Sequence, residues 1–161
     1  MAYLTAWSTL LLLLIGSSNL PQPTQEPGEP GKIEVASYKL HIGERAGKCI
    51  LSYDGHSKGK ISMIIPPPCE FLRDHNDTAQ HFRYKNTKRK GGGYFEVILV
   101  VGGPLDKGQS DKFMKDGCGT QIQAISLSRR GVVAGAVGSG IVVCPSRGLD
   151  EKNFGFLAKQ I

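Results

Sequence analysis

Residues 94–101 read YFEVILVV, with Glu96 as the sole charged residue. A short apolar run rich in β-branched residues is typical of a strand that is covered on both faces. Residues 80–86 also have the character of a strand, and a loop of seven residues separates the two segments. We therefore predict a hairpin whose second strand, residues 94–101, is central in a sheet.

Other strand-like segments flank this hairpin on both sides, and glycine, proline, aspartate or asparagine separates them. These segments are residues 33–35, 38–42, 48–53, 60–65, 121–127, 132–137 and 141–143. A change of phase at Ala36-Ser37 predicts a β-bulge, and turns are expected at residues 43–47 and at Gly138-Ser139-Gly140. Residues 110–116 have the capping and stop signals of a helix. The sequence predicts a mostly β fold, a small antiparallel sandwich or barrel of about eight short strands with one short helix.

The N-terminal part of the chain differs in composition from the rest. Residues 10–15 form a saturated apolar run, followed by the small residues Gly16, Ser17 and Ser18. This order predicts a secretory signal peptide over residues 1–18. Residues 19–31 contain four prolines and are expected to form an extended spacer, so a single mostly β domain would cover residues 32–161. A retained membrane anchor is the alternative, but the apolar stretch is shorter than the roughly 20 residues that span a bilayer.

Four cysteines follow this leader, at positions 49, 69, 118 and 144. An even number of cysteines in an exported chain is expected to form disulfides, and the protein is therefore predicted to be periplasmic or secreted. Three pairings are possible. Cys49–Cys69 and Cys118–Cys144 are favoured because each closes a short interval between neighbouring strands, and each bond would stabilise the fold by about 3 kcal/mol.

No motif in the chain predicts a cofactor or a metal ion. The cysteines and histidines lack zinc-ligand spacing, and no glycine-rich phosphate loop is present. One catalytic arrangement is conceivable, in which His81, Cys144 and Arg147 act as base, nucleophile and oxyanion stabiliser of a thiol transferase or hydrolase. It requires a reduced Cys144 in an oxidising compartment, so we expect a protein that is not an enzyme.

The strongest local feature is the basic loop of the predicted hairpin. Five of the eight residues at positions 83–90 are cationic and none is acidic, in a chain whose formal net charge is +6. Alternation along a strand would place Phe82 and Tyr84 on one face, and Arg83 and Lys85 on the other. The candidate binding residues are Phe82, Arg83, Tyr84, Lys85, Lys88, Arg89 and Lys90.

Three interpretations of this loop remain open. It can be a solvated hairpin whose charges prevent edge-to-edge pairing, a probe for an acidic protein, or an attachment site for an anionic cell-surface polymer. Nucleic acid is disfavoured by the predicted export, and membrane contact is expected only if the leader is retained as an anchor. The sequence therefore predicts an exported binding protein, with an inhibitor or immunity-type protein that blocks an acidic partner as the leading version.

Overall fold

A computed structural model describes residues 31–87, 92–105 and 117–161, whose strands form two antiparallel sheets. Sheet 1 has the order β1-β2-β3-β4. Its strands are β1 (Lys32–Val35), β2 (Tyr38–Arg45), β3 (Lys48–Asp54) and β4 (Gly59–Ser62). Sheet 2 has the order β5-β7-β8-β9, and β6 also pairs with β7. Its strands are β5 (Glu70–Phe71), β6 (His81–Lys85), β7 (Tyr94–Pro104), β8 (Gly119–Ser128) and β9 (Gly131–Val143). The mostly β fold is confirmed, with nine strands in the described residues.

Sheet 1 is a meander with two tight turns. Val35 pairs with Tyr38, so the two intervening residues form the whole connection between β1 and β2. Both of them, Ala36 and Ser37, have positive φ angles of 52° and 64°. This is the backbone of a two-residue hairpin turn that matches the twist of the strands, and the bulge expected here was wrong. A similar turn follows at Ala46-Gly47, so the turn predicted for residues 43–47 is confined to its last two residues.

Sheet 2 contains the predicted hairpin. β6 pairs with β7 from His81↔Ile98 to Lys85↔Tyr94, and β8 lies on the other side of β7. The side chains from Val97 to Val101 are buried, as expected for a central strand. The prediction of this hairpin and of its central strand is confirmed.

The glycine-rich residues 131–143 form one continuous strand, β9. The prediction of a turn at Gly138-Ser139-Gly140 was therefore wrong. The glycines serve close packing instead. A Cβ on Gly138 would lie 3.1 Å from Ile122, and a Cβ on Gly135 would collide with Ile161. Gly135 thus permits the close approach of a neighbour, whereas Gly140, with φ of 81°, lies at an irregularity in the β8–β9 pairing.

In the described residues, one α-helix, α1 (Glu151–Ala158), covers the face of sheet 2 that points away from sheet 1. Asp150 caps it by accepting a hydrogen bond from the Asn153 backbone N–H at 3.0 Å. Phe154 and Leu157 are its buried contacts with the sheet. The helix expected at residues 110–116 lies outside the described residues, and α1 was not predicted from the sequence. In the described ranges, no helix has the length and apolar character to cross a membrane.

The molecule therefore has three layers and two apolar cores. The inner core lies between the sheets, and its members come from both. They include Tyr38, Leu40 and Leu51 of sheet 1, and Phe71, Ile98, Val100 and Ile125 of sheet 2. The outer core lies between sheet 2 and α1, and includes Val97, Leu99, Ala124, Phe154 and Leu157.

Two disulfides are present, one between the sheets and one within sheet 2, with the pairing that the sequence favoured. Cys49 of β3 is bonded to Cys69, which directly precedes β5, so this bond joins the two sheets. Cys118 is bonded to Cys144, and this bond joins the start of β8 to the end of β9. Two disulfides fit a protein that folds outside the cytoplasm. The signal peptide predicted for residues 1–18 lies outside the described residues, and so does the spacer predicted for residues 19–31, apart from Gly31.

One buried polar side chain links the sheets. Gln123 of β8 is fully buried and faces the inner core. Its Oε1 accepts a hydrogen bond from the Ile64 backbone N–H at 2.9 Å, and its Nε2 donates to the Gly135 carbonyl at 3.3 Å. The Gly135 carbonyl lies where the β8–β9 pairing is irregular. The side chain thus satisfies one main-chain group that follows sheet 1 and one in β9 of sheet 2.

Replacement of Gln123 by leucine should strongly destabilise the fold. The substitution Gln123→Leu keeps the side-chain volume but leaves two main-chain groups without partners, which costs about 2–4 kcal/mol of unfolding free energy. Urea denaturation followed by circular dichroism measures the loss. The matched control is Gln121→Leu, two residues earlier in β8 and only partly buried, for which a change within about 0.5 kcal/mol is expected. Equal effects of both substitutions would contradict this role of Gln123.

Candidate functional site

The β6–β7 hairpin separates its aromatic and cationic side chains onto two faces. Phe82 and Tyr84 are partly buried, whereas Arg83 and Lys85 are exposed. The alternation predicted from the sequence is thus present in β6. Lys88, Arg89 and Lys90 lie outside the described residues, in the segment that joins the end of β6 to the start of β7.

The two aromatic rings of β6 pack against the protein's own helix. The Phe82 ring lies edge-on to Phe154, with the centroids 4.8 Å apart. The Tyr84 hydroxyl donates to the carbonyl of Glu151 at 3.3 Å. Burial raises the pKa of Tyr84, and the nearby charge of Glu151 raises it further. These contacts hold the hairpin on α1, so the side chains open to a partner are mainly the cations.

The opposite face of the hairpin carries an organised cluster around Glu96. Its carboxylate lies 3.8 Å from Nε of Arg83 and 3.1 Å from Nδ1 of His81. The Arg83 guanidinium also lies over the Tyr94 ring, 4.5 Å from its centroid, in a cation–π contact. Tyr94 is 58% exposed. The carboxylate therefore orients Arg83, and the cluster presents an arginine and an aromatic ring together.

A second pair of cations lies at the same end of sheet 2. Lys85, at the end of β6, pairs with Tyr94 at the start of β7. Two residues further along β7, Glu96 pairs with Leu127 near the end of β8, so the ends of β6 and β8 lie at the same end of the sheet. The β8–β9 turn, Arg129-Arg130, follows directly after β8, and both arginines are exposed. β8 lies two strand spacings from β6, about 10 Å across the sheet.

We call this surface the basic end: Arg83, Lys85, Arg129 and Arg130, with Tyr94 beside them. Arg129-Arg130 lies in the short interval between two predicted strands, residues 121–127 and 132–137, and is not among the candidate binding residues predicted from the sequence. Their proximity to the hairpin follows from strand register, which brings residues more than forty positions apart to one end of the sheet. The sequence provided only one signal for this, an Arg-Arg pair in a chain with excess positive charge.

The turn at Arg129-Arg130 is fixed from the sheet 1 side. The Tyr38 hydroxyl donates to the Ser128 carbonyl at 2.9 Å, and the Arg130 backbone N–H donates to the Ser128 hydroxyl at 3.3 Å. Tyr38 is itself fully buried. The backbone that carries the two arginines is therefore held by the inner core, while their side chains remain in solvent.

Two concave surfaces lie elsewhere on the described residues. A groove of about 620 Å³ runs over sheet 1. Its rim includes several lysine side chains as well as the carboxylates of Glu34 and Asp54. One of these carboxylates already pairs within the rim, since Lys58 Nζ lies 3.1 Å from Asp54. A smaller polar cleft of about 220 Å³ lies beside Asp74, His75 and Arg147. Their mixed charges distinguish them from the basic end.

The residues of the conceivable thiol enzyme have other partners. Cys144 is bonded to Cys118, and none of the four cysteines, all of which are described, is free. His81 contacts Glu96. As it stands, the structure therefore offers no thiol nucleophile. In the described ranges, no group of histidine, cysteine, aspartate and glutamate side chains could hold a metal ion.

Over the described residues, fold and site together define a disulfide-linked protein with two antiparallel sheets, a helix on sheet 2 and a basic end on the same sheet. In comparisons with protein-family models, curated proteins and solved structures, the chain matches none of them.

A count of free thiols tests the state of Cys144 directly. In unreduced, denatured protein, a thiol reagent should detect no free thiol, because both disulfides are closed. The reduced protein provides the control and should show all four cysteines. Detection of two thiols in the unreduced sample would reopen catalysis by Cys144.

The contact of Tyr84 with α1 predicts a pH dependence of stability. Because the pKa of Tyr84 is raised above its ordinary value of 10.0, the folded protein holds this proton at a pH where the unfolded chain has lost it. Stability should therefore decrease as the pH rises above about 10. In Tyr84→Phe this contribution is absent, so the advantage of the native protein over the variant should shrink there. Urea denaturation between pH 8 and about 11 measures it, and an advantage that stays constant with pH would contradict the prediction.

Proposed function

We propose that this protein is an exported binding protein that blocks an acidic partner protein through the basic end. The observation that carries the proposal is the convergence of Arg83 and Lys85 with Arg129-Arg130 at one end of sheet 2. The chain itself adds Lys88, Arg89 and Lys90 between β6 and β7. In the sequence, the two segments that follow β6 and β8 contribute five cations, and β6 contributes Arg83 and Lys85.

The charge of the basic end is only slightly neutralised within the protein. Glu96 contacts Arg83 and His81, and its side chain is largely buried. Lys85, Arg129 and Arg130 are exposed. A surface of this kind attracts acidic partners over a distance of about 8 Å at physiological ionic strength and raises the rate of association.

The composition of the basic end favours a protein over a polymer as the partner. Arginine and tyrosine, together with tryptophan, are enriched where protein–protein binding energy is concentrated, and here Arg83 stacks on an exposed Tyr94. The cations also gather at one end of the sheet, whereas a linear polymer is expected to follow a track of charges. An anionic cell-surface polymer remains the alternative that the experiment below must separate.

Rigid support is consistent with binding by occlusion. The hairpin is held on one face by α1 through Phe82 and Tyr84, and the β8–β9 turn is held by Tyr38. A surface that is already ordered loses less conformational entropy on binding. The proposed export draws its support from the apolar leader and from the two disulfides.

Removal of charge from the basic end should weaken binding to the partner. The partner is first recovered by retention on the immobilised protein from the extracellular or periplasmic fraction, then purified. Arg129→Ser/Arg130→Ser and Lys88→Ser/Arg89→Ser/Lys90→Ser should each raise its Kd by about tenfold, mainly through slower association. Surface plasmon resonance at physiological salt measures both rates.

A matched control separates the basic end from net charge. Lys39→Ser/Lys48→Ser removes two exposed lysines from sheet 1 and should leave the Kd within about twofold. An equal loss in the control and in Arg129→Ser/Arg130→Ser would contradict the proposal. Heparin serves as the polymer probe. The polymer alternative is correct if heparin binds with an affinity that falls steeply as the salt concentration rises, and if no acidic protein is recovered that binds.

A further inference from the structure

β9 is an edge strand with an unusual composition. It is 13 residues long and pairs with β8 on one side, and no described strand pairs with its other side. Its sequence, GVVAGAVGSGIVV, contains neither a charged residue nor a proline. Such residues normally protect an edge strand from pairing with another chain. Among the described residues, the outer edge of β9 therefore has no side chain of this protective kind.

The exposed apolar side chains of β9 lie towards its two ends. Val133 is 54% exposed, and Ile141 is 43% exposed. The strand between them has small or half-buried side chains, with Gly135, Ala136 and Gly138 among them. An antiparallel copy of the same strand, related by a two-fold axis at Val137, would place Val133 of one chain opposite Ile141 of the other. The strand is thus complementary to itself.

We propose that two copies of this protein associate through β9, which pairs antiparallel with β9 of the second copy to give one continuous sheet. Residues 137–139 pair regularly with β8, and irregularities lie on both sides of them, so the proposed axis at Val137 lies at one end of this regular segment. Main-chain hydrogen bonds around the axis would hold the dimer, and the apolar pairs at its flanks would fix the register.

The distribution of charge favours an antiparallel pairing over a parallel one, and it makes the edge of β9 a suitable place for a second copy of the chain. A parallel pairing would place the Arg129-Arg130 turns of both chains side by side, whereas the antiparallel one separates them by about 40 Å, the length of the strand. The β6–β7 hairpin lies on the far side of sheet 2 from β9. The uncharged edge is therefore the part of sheet 2 where two chains of net charge +6 meet with least repulsion.

The contact is smaller than a standard interface. A single strand pair interrupted at both ends buries less than the roughly 800 Å² per partner of a stable complex. The dimer is thus expected to be weak and to form reversibly with concentration. It is independent of the function proposed above.

Sedimentation velocity on the full exported chain over a concentration series tests the association. The native protein should shift from monomer to dimer as its concentration rises, and Val133→Lys/Ile141→Lys should weaken this by about tenfold or more, because it places charges at the paired edge. Both positions are exposed, so the fold should persist, and circular dichroism checks this.

The control His75→Lys/Asn76→Lys adds the same charge on an exposed turn and should dimerise normally. A native protein that stays monomeric throughout, or a control as impaired as the edge variant, would overturn the proposal.

Cross-linking tests the orientation. An equimolar mixture of Val133→Cys and Ile141→Cys, under mild oxidation, should form a disulfide between the two variants, and each variant alone should form much less. Efficient linkage of Val133→Cys to itself would overturn the antiparallel register. In that case β9 would pair in another way.

Discussion

Both faces of the central strands of sheet 2 must be covered, and the rest of the structure depends on that constraint. Ile98 and Val100 of β7 enter the inner core, while Val97 and Leu99 enter the outer core. A strand with apolar side chains on both faces cannot remain in water, so it needs sheet 1 on one side and α1 on the other. Charged side chains are thereby excluded from the middle of the sheet. They are left to its ends and its margins, which is where the basic end lies.

Gln123 is an uncharged but polar side chain in the middle of sheet 2. It is a fully buried polar side chain in an apolar core, and such a group is tolerated only with complete hydrogen bonding. Its partners are an N–H that follows β4 and a carbonyl in β9. Apolar contacts alone would permit the sheets to slide over one another, whereas these two directional bonds define one position. The bond to Gly135 also allows β9 to depart from regular pairing without leaving the Gly135 carbonyl unbonded.

The parts of the fold that the sequence predicted are those where local pattern and tertiary packing agree. Residues 94–101 are apolar because both faces are buried, and the disulfide pairing follows from short intervals between neighbouring strands. A bulge rather than a two-residue turn was predicted at Ala36-Ser37 because neither residue is typical of positive φ. Gly138 misled because glycine also permits close packing, here against Ile122. α1 is short, and its stability depends on the burial of Phe154 rather than on intrinsic propensity.

The candidate site was predicted only as far as it is local in sequence. The cations of the β6–β7 hairpin are adjacent along the chain, and strand alternation assigned Arg83 and Lys85 to one face. The contribution of Arg129-Arg130 depends on the register of three strands, which no local pattern specifies. The packing of Phe82 on Phe154 depends on a helix that was itself not predicted. Long-range register is therefore the information that a single sequence lacked.

The placement of the two disulfides has a consequence for proteolysis. Cys49–Cys69 closes a loop before the β6–β7 hairpin, and Cys118–Cys144 closes one after it. A peptide bond hydrolysed between Lys85 and Tyr94 would thus yield two fragments that no covalent bond connects. Sheet 2 would then consist of β5 and β6 from one fragment and β7, β8 and β9 from the other, held together only by their ladder and the two cores. A trypsin-like protease, whose specificity matches Lys88, Arg89 and Lys90, could convert this single chain into a noncovalent heterodimer without breaking either disulfide.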